Sequence, residues 1–174
     1  MQSKQQTGLT MIELLVVLAI AAILAAVATP SMTGMINNMR QSSTITQLVG
    51  DLNRARSEAV KRNRRILVCP RGTDIACGAS WGNGWLVCYD ETLDGACDTA
   101  PVDGTNPNPM VVHSPLNTNL TLTLTAGAAP IYFNPNGTQG PGTTLATWTL
   151  SGSWTGAITR SVNIAATGNI SKTP

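Results

Sequence analysis

The sequence predicts an α+β fold, a long kinked N-terminal helix packed on an antiparallel β-sheet head, and three observations lead there. Residues 11–28 form one apolar run, MIELLVVLAIAAILAAVA, interrupted by Glu13 alone. From Met32 to Val60 apolar residues recur at the three-and-four spacing of one helix face. Beyond Arg65 the pattern changes to short alternating stretches separated by Gly, Pro and Asn turns. A chain of 174 residues has room for about one globular domain. The boundaries fall as a polar leader over 1–8, an apolar, membrane-length helix half over 9–29, an amphipathic helix half over 30–63 and a β-rich head over 64–174.

The apolar run has the length of about 20 residues that crosses a bilayer core as a helix. A carboxylate inside it is expensive, so Glu13 implies a role. Generic targeting rules allow another reading, a secretory signal cut after Ala26-Val27-Ala28 and before Thr29. The helix then continues on a stripe of Met32, Met35 or Ile36, Met39, Ile45, Leu48 or Val49, Leu52, Ala55 and Val60. Pro30, Gly34 and Gly50 are its weak points, since proline removes a backbone donor and glycine costs about 1 kcal/mol against alanine. The stripe is expected to pack on the chain's own sheet, with Arg40, Arg54, Arg56, Glu58, Lys61 and Arg62 on the outer face.

Strands are predicted over 66–69, 84–89, 110–113, 120–125, 131–133, 145–150, 157–164 and 169–171. Alternation of Leu120, Leu122 and Leu124 with Thr121, Thr123 and Thr125 turns leucine inward and threonine outward. Charge almost vanishes after Asp103, where Arg160 and Lys172 are the only ionised side chains expected.

The 11 Lys and Arg against 9 Asp and Glu leave a formal charge of +2, which names no partner. There is no Gly-x-Ser-x-Gly elbow, phosphate loop or HExxH, and His113 has no nucleophile or co-ligand near it in sequence. No catalytic residue, cofactor or small-molecule substrate is therefore expected, and the protein is read as no enzyme. Asp90, Glu91, Asp94, Asp98 and Asp103 miss the alternating spacing of a calcium loop and read as a solvated turn. Cys69, Cys77, Cys88 and Cys97 lack C-x-x-C spacing and partner histidines, so no metal site is expected and two disulfides are. Four cysteines allow three pairings, of which the local one, Cys69–Cys77 with Cys88–Cys97, is preferred. The basic run Lys61, Arg62, Arg64, Arg65, reinforced by Arg71, is a candidate for DNA phosphates. A hydrated helix end complementing the macrodipole is the simpler reading and is preferred.

Gly8-Leu9-Thr10-Met11-Ile12-Glu13, followed by the aliphatic run and Pro30, resembles the class III leader of type IV pilins and type II secretion pseudopilins. The resemblance implies a type IV pilin-like fold, cleavage after Gly8 by a prepilin peptidase, N-methylation of Leu9, and pairing of Glu13 with the new amine of a neighbouring subunit. The family's first mature residue is most often Phe, where this chain has Leu9. The segment from Leu52 to Asn63 running into Ile66-Leu67-Val68-Cys69 resembles the GspH/FimT group, as does Trp81-Gly82-Asn83-Gly84-Trp85-Leu86-Val87 followed by Asp90.

That group implies a non-enzymatic subunit, a minor pilin aiding initiation or tip formation of a type IV pilus. The alternatives are a type II secretion pseudopilin of the GspH kind and a FimT-type DNA-binding minor pilin. The last uses a C-terminal Gly-Arg-x-Arg pattern, and here Gly168-Asn169-Ile170-Ser171 lacks both arginines, leaving Arg160 and Lys172 nearby. The implied partners are other pilins or pseudopilins, the prepilin peptidase, the inner membrane before assembly and, in the third case, DNA. The implied location is the inner membrane, single-pass with a periplasmic head, and then the filament or its tip.

Overall fold

The structure, a computed structural model, describes residues 10–73, 75–98, 108–126, 130–140 and 145–173, without the side chains of 27–31 and 126. The expected cleavage residues Gly8 and Leu9, and Asp103 of the acidic segment, lie outside the described residues. The chain divides into two compact units, 1–36 and 37–174. One helix, α1 (Met11–Arg62), contributes to both, with Pro30, Gly34 and Gly50 inside it.

In the first unit the helix exposes apolar side chains on every side, from Leu14, Leu15, Val16 and Val17 to Ile23 and Leu24, each more than half exposed. A helix apolar all round is stable only among hydrocarbon or other helices. Among the described residues no helix is long and apolar enough to cross a membrane.

In the second unit the helix buries Gln41, Thr44, Ile45, Leu48, Leu52, Ala55 and Ala59. This corrects the predicted stripe at both ends. Steps of three and four residues from Leu52 and Ala55 close on Ala59, which leaves Val60 half exposed, and Met39 also faces out. Gln41 takes a core position because its amide donates to the carbonyls of Leu150 and Ile158, as a buried amide must.

Among the described residues nine strands form two antiparallel sheets. The five-stranded sheet has the order β3-β2-β1-β5-β6, built from β1 (Ile66–Pro70), β2 (Trp85–Tyr89), β3 (Val111–Val112), β5 (Ile131–Phe133) and β6 (Gln139–Gly140). The four-stranded sheet has the order β4-β7-β8-β9, built from β4 (Leu120–Ala126), β7 (Ala146–Gly152), β8 (Arg160–Ile164) and β9 (Ile170–Thr173). A 3-10 turn, Trp81–Asn83, precedes β2. The core joins the helix positions to Ile66, Val68, Trp85, Val87, Ile131, Phe133, Trp148, Leu150, Val162 and Ile164. Trp81 meets Trp148 edge-on at 5.4 Å, a favoured aromatic arrangement.

Indole donors tie the helix to the sheets. Trp85 Nε1 donates to Asp51 at 2.9 Å, and Trp154 Nε1 donates to Asn38 at 3.2 Å. Arg56 reaches the carbonyls of Gly137 and Thr167, at 3.0 and 3.2 Å. It is thus partly buried against two turns rather than on the outer face. Those turns close on Gly168, at φ +79°, where a Cβ would lie 1.9 Å from the Gly137 carbonyl oxygen.

Candidate functional site

β1 and β2 are paired so that Ile66 lies opposite Tyr89. The residues just before Ile66 therefore meet those just after Tyr89, and the basic run meets the acidic segment. Arg65 pairs with Asp90, whose carboxylate is fully buried and also accepts from the Gly95 amide at 3.2 Å. Arg64 pairs with Glu91, and Arg62 with Glu58 at 2.6 Å, one helical turn back. The Arg65 guanidinium lies 4.3 Å from the Tyr132 ring centroid and that of Arg62 lies 5.7 Å from Tyr89, both within cation–π range.

Asp90 therefore departs from the expected solvated turn, whereas Glu91 and Asp94 stay exposed. Asp98 further accepts from the Glu91 amide and the Thr92 hydroxyl, and Asp94 from the Ala96 amide. In the basic run, strand register brings carboxylates to Arg64 and Arg65, while Arg62 pairs with Glu58 of its own helix. Lys61 remains exposed. An open cleft of about 440 Å³ at this place is lined by Arg64, Arg65, Asp90, Glu91, Leu93 and Tyr132. Its charges cancel, so it offers little field to a phosphate backbone.

At the start of α1, Thr10 and Glu13 close a capping box. The Thr10 amide and hydroxyl both donate to Glu13 Oε2 at 2.9 Å, and the Glu13 amide returns to the Thr10 hydroxyl at 3.3 Å. Both bonds fall on one carboxylate oxygen, which leaves Oε1 able to accept from another donor.

The cysteines are bridged as Cys69–Cys77 and Cys88–Cys97. Register sets Leu67 beside Cys88 and Cys69 beside Leu86, so the bridges share the face of the sheet turned away from the helix. There they cover Leu67 and Leu86, and β1 and β2 are buried on both faces. The two bridges touch: Cys77 Sγ is 3.7 Å from Cys97 Sγ. The sulfurs of Cys69, Cys77 and Cys97 lie within 4.8 Å of one another, but disulfide sulfur offers no thiolate to a metal.

His113 stacks on Trp85 with centroids 3.7 Å apart, and its ring nitrogens meet Gln47 Oε1 and the Ser114 carbonyl. Arg160 and Lys172 line one cleft of about 130 Å³ between the strands and the helix, together with Ser42, Ile45, Thr46 and Thr173. Sequence reasoning missed the parts of Gln41, Asp51 and Arg56, polar helix residues whose partners are remote in sequence. It also missed the pairing of Arg64 and Arg65 with Glu91 and Asp90, although the opposed charge runs on either side of two strand signals carried that information.

Comparison with known proteins gives a family. The family model described as type II transport protein GspH matches residues 44–168, and that described as the prokaryotic N-terminal methylation motif matches residues 3–29. No curated protein matches. Two crystal structures of the type IV minor pilin FimU of Pseudomonas aeruginosa (strain PAO1) are similar. The one in space group P21 gives a TM-score of 0.56 at 23% identity, covering 80% of this chain and 92% of that one. The one in space group P65 gives 0.53 at 24% identity, covering 76% and 92%. At these identities the likeness is one of fold.

Proposed function

The chain belongs to the GspH family of type II transport proteins, a pilin-like family of minor pilins and pseudopilins, and from that premise we propose that it is a minor pilin of a type IV pilus. In this reading its leader is cut after Gly8, Leu9 is N-methylated, the apolar helix half holds it in the inner membrane, and it is then drawn into the filament near its tip. The observation that carries the reading is the match of residues 3–29 to the methylation motif in a chain whose fold is similar to that of FimU.

Glu13 supplies the assembly chemistry. A carboxylate in hydrocarbon is costly unless paired, so an amine delivered by a neighbour at one stagger rewards that stagger alone. The capping box leaves Oε1 open for that amine while Oε2 holds the helix start, so both tasks fit one side chain. The exposed aliphatic side chains from Leu14 to Leu24 pass from lipid to neighbouring helices without entering water.

A second reading, a pseudopilin of a type II secretion machine, is favoured by the description of the family model itself. The two are separated by shearing filaments from cells and detecting the chain by mass spectrometry. Recovery with the pilus subunits supports the minor pilin. Recovery only in the membrane fraction, with secretion lost on deletion and pili unchanged, supports the pseudopilin.

A further inference from the structure

The last seventy or so residues of the chain hold two ionised side chains, Arg160 and Lys172, and the fold brings both to one place. β8 and β9 are paired so that Val162 lies opposite Lys172, while β7 and β8 set Leu150 opposite Arg160 and Trp148 opposite Val162. Side chains two apart on a strand share a face, so Arg160 and Lys172 sit on the face that carries Trp148, Leu150 and Val162, all fully buried. That face packs on the helix. The two cations therefore occupy the edge of a core face, where aliphatic residues would serve packing equally well.

Their surroundings are built for an anion. The cleft of about 130 Å³ adds Ser42 and Thr173 to the two cations, while the Thr46 hydroxyl beside them donates to the Ser42 carbonyl. Among the described residues the buried Arg160 Nε has no hydrogen-bond partner. The guanidinium thus keeps donor capacity that no described acceptor takes up. Among the described residues no carboxylate pairs with either cation, in contrast to Arg62, Arg64 and Arg65.

We propose that this cleft receives a single carboxylate side chain from a neighbouring subunit of the filament, with the Arg160 guanidinium and the Lys172 ammonium as its charged donors. The inference rests on the filament reading above. A protein carboxylate is favoured over nucleic acid because binding to a phosphate backbone draws on several cations at once. Here two cations share one small recess, and Arg62, Arg64 and Arg65 of the basic run are already paired with carboxylates. Charge-assisted bonds of this kind fix register and reject wrong neighbours.

The test uses the full chain in sheared filaments. A water-soluble carbodiimide activates carboxylates within contact of an amine, and the Lys172 amine displaces the activating group as a urea to leave an amide. The expected product is a peptide joining Lys172 to an Asp or Glu of a different subunit, its yield falling about tenfold in Arg160→Gln, which removes the charge-assisted partner. If Arg160→Gln fails to fold, Lys172→Gln, at an exposed strand end, should reduce recovery of the chain in filaments while leaving its amount in membranes unchanged. Coupling of Lys172 to a carboxylate of its own chain overturns the proposal. So does no coupling with the chain present in filaments, which leaves the filament reading intact. Inorganic phosphate that shifts the Arg160 guanidinium resonances of the detergent-solubilised chain, without any inter-subunit amide, marks a free-anion site. Salt-sensitive retardation of duplex DNA lost in Lys172→Gln, again without the amide, marks a nucleic-acid site. Either overturns it.

Discussion

Arg65 and Asp90, 25 positions apart, form an ion pair whose carboxylate is fully buried and whose guanidinium also lies over the Tyr132 ring. The pair closes the seam where the helix ends and the first hairpin begins. Removing one partner strands a buried charge, so Asp90→Ala should cost about 3–5 kcal/mol. Removing both, with Arg65→Met and Asp90→Leu, should recover most of that loss. Urea midpoints followed by tryptophan fluorescence measure both, and equal losses in the single and double variants would contradict a buried pair.

The Glu58–Arg62 pair is legible in acid. The hydrogen bond from Arg62 holds the Glu58 carboxyl below its ordinary value, against a smaller opposing effect of burial. A carboxylate lowered on folding stabilises the chain above its unfolded value, and that contribution is lost as pH falls through the lowered one. The stability difference between wild type and Glu58→Gln should be about 0.5 kcal/mol at neutral pH and vanish below the usual carboxylate range. A difference that grows in acid would reverse the sign and refute the pairing.

The two bridges, in contact through Cys77 and Cys97, should not act independently. Each closes a short loop, of sequence separation 8 and 9, worth about 2–3 kcal/mol. Their shared cover over Leu67 and Leu86 predicts a coupling of about 0.5–3 kcal/mol when both Cys pairs are changed to Ser. A double-mutant cycle on urea midpoints reads it, and simple additivity would mean that the covered face has no energetic weight.

Thr10 and Glu13 separate two tasks. Thr10→Val removes the cap and should loosen the helix start by about 1 kcal/mol while leaving the Glu13 carboxylate in place. Glu13→Gln removes the charge that would pair with an amine. The chain should remain in membranes in both variants, with filament recovery falling at least about tenfold only in Glu13→Gln. Equal recovery of the two variants would deny Glu13 a role beyond capping.

Much of the fold was legible because local periodicity survives in the folded state. Leu120 and Leu122 are buried and Thr121, Thr123 and Thr125 exposed, as alternation requires, and β5 occupies 131–133 as predicted. β6 was missed because Gln139 and Gly140 carry no strand propensity. Gly140 is there for space, since a Cβ would fall 2.1 Å from the Tyr132 ring. The charge pairs escaped for another reason. Runs 61–65 and 90–98 look separately solvated, and only the register of β1 on β2 makes them one feature. Gln41 interrupts an apolar stripe, and its need for the Leu150 and Ile158 carbonyls cannot be seen along a helix.

The most direct measurement is the N-terminal mass of the protein taken from its native membranes. A start at N-methylated Leu9, retaining the apolar helix, is the expected result and carries the filament role of Glu13 with it. A start at Thr29 would remove that helix, and the assembly mechanism built on Glu13 would be wrong.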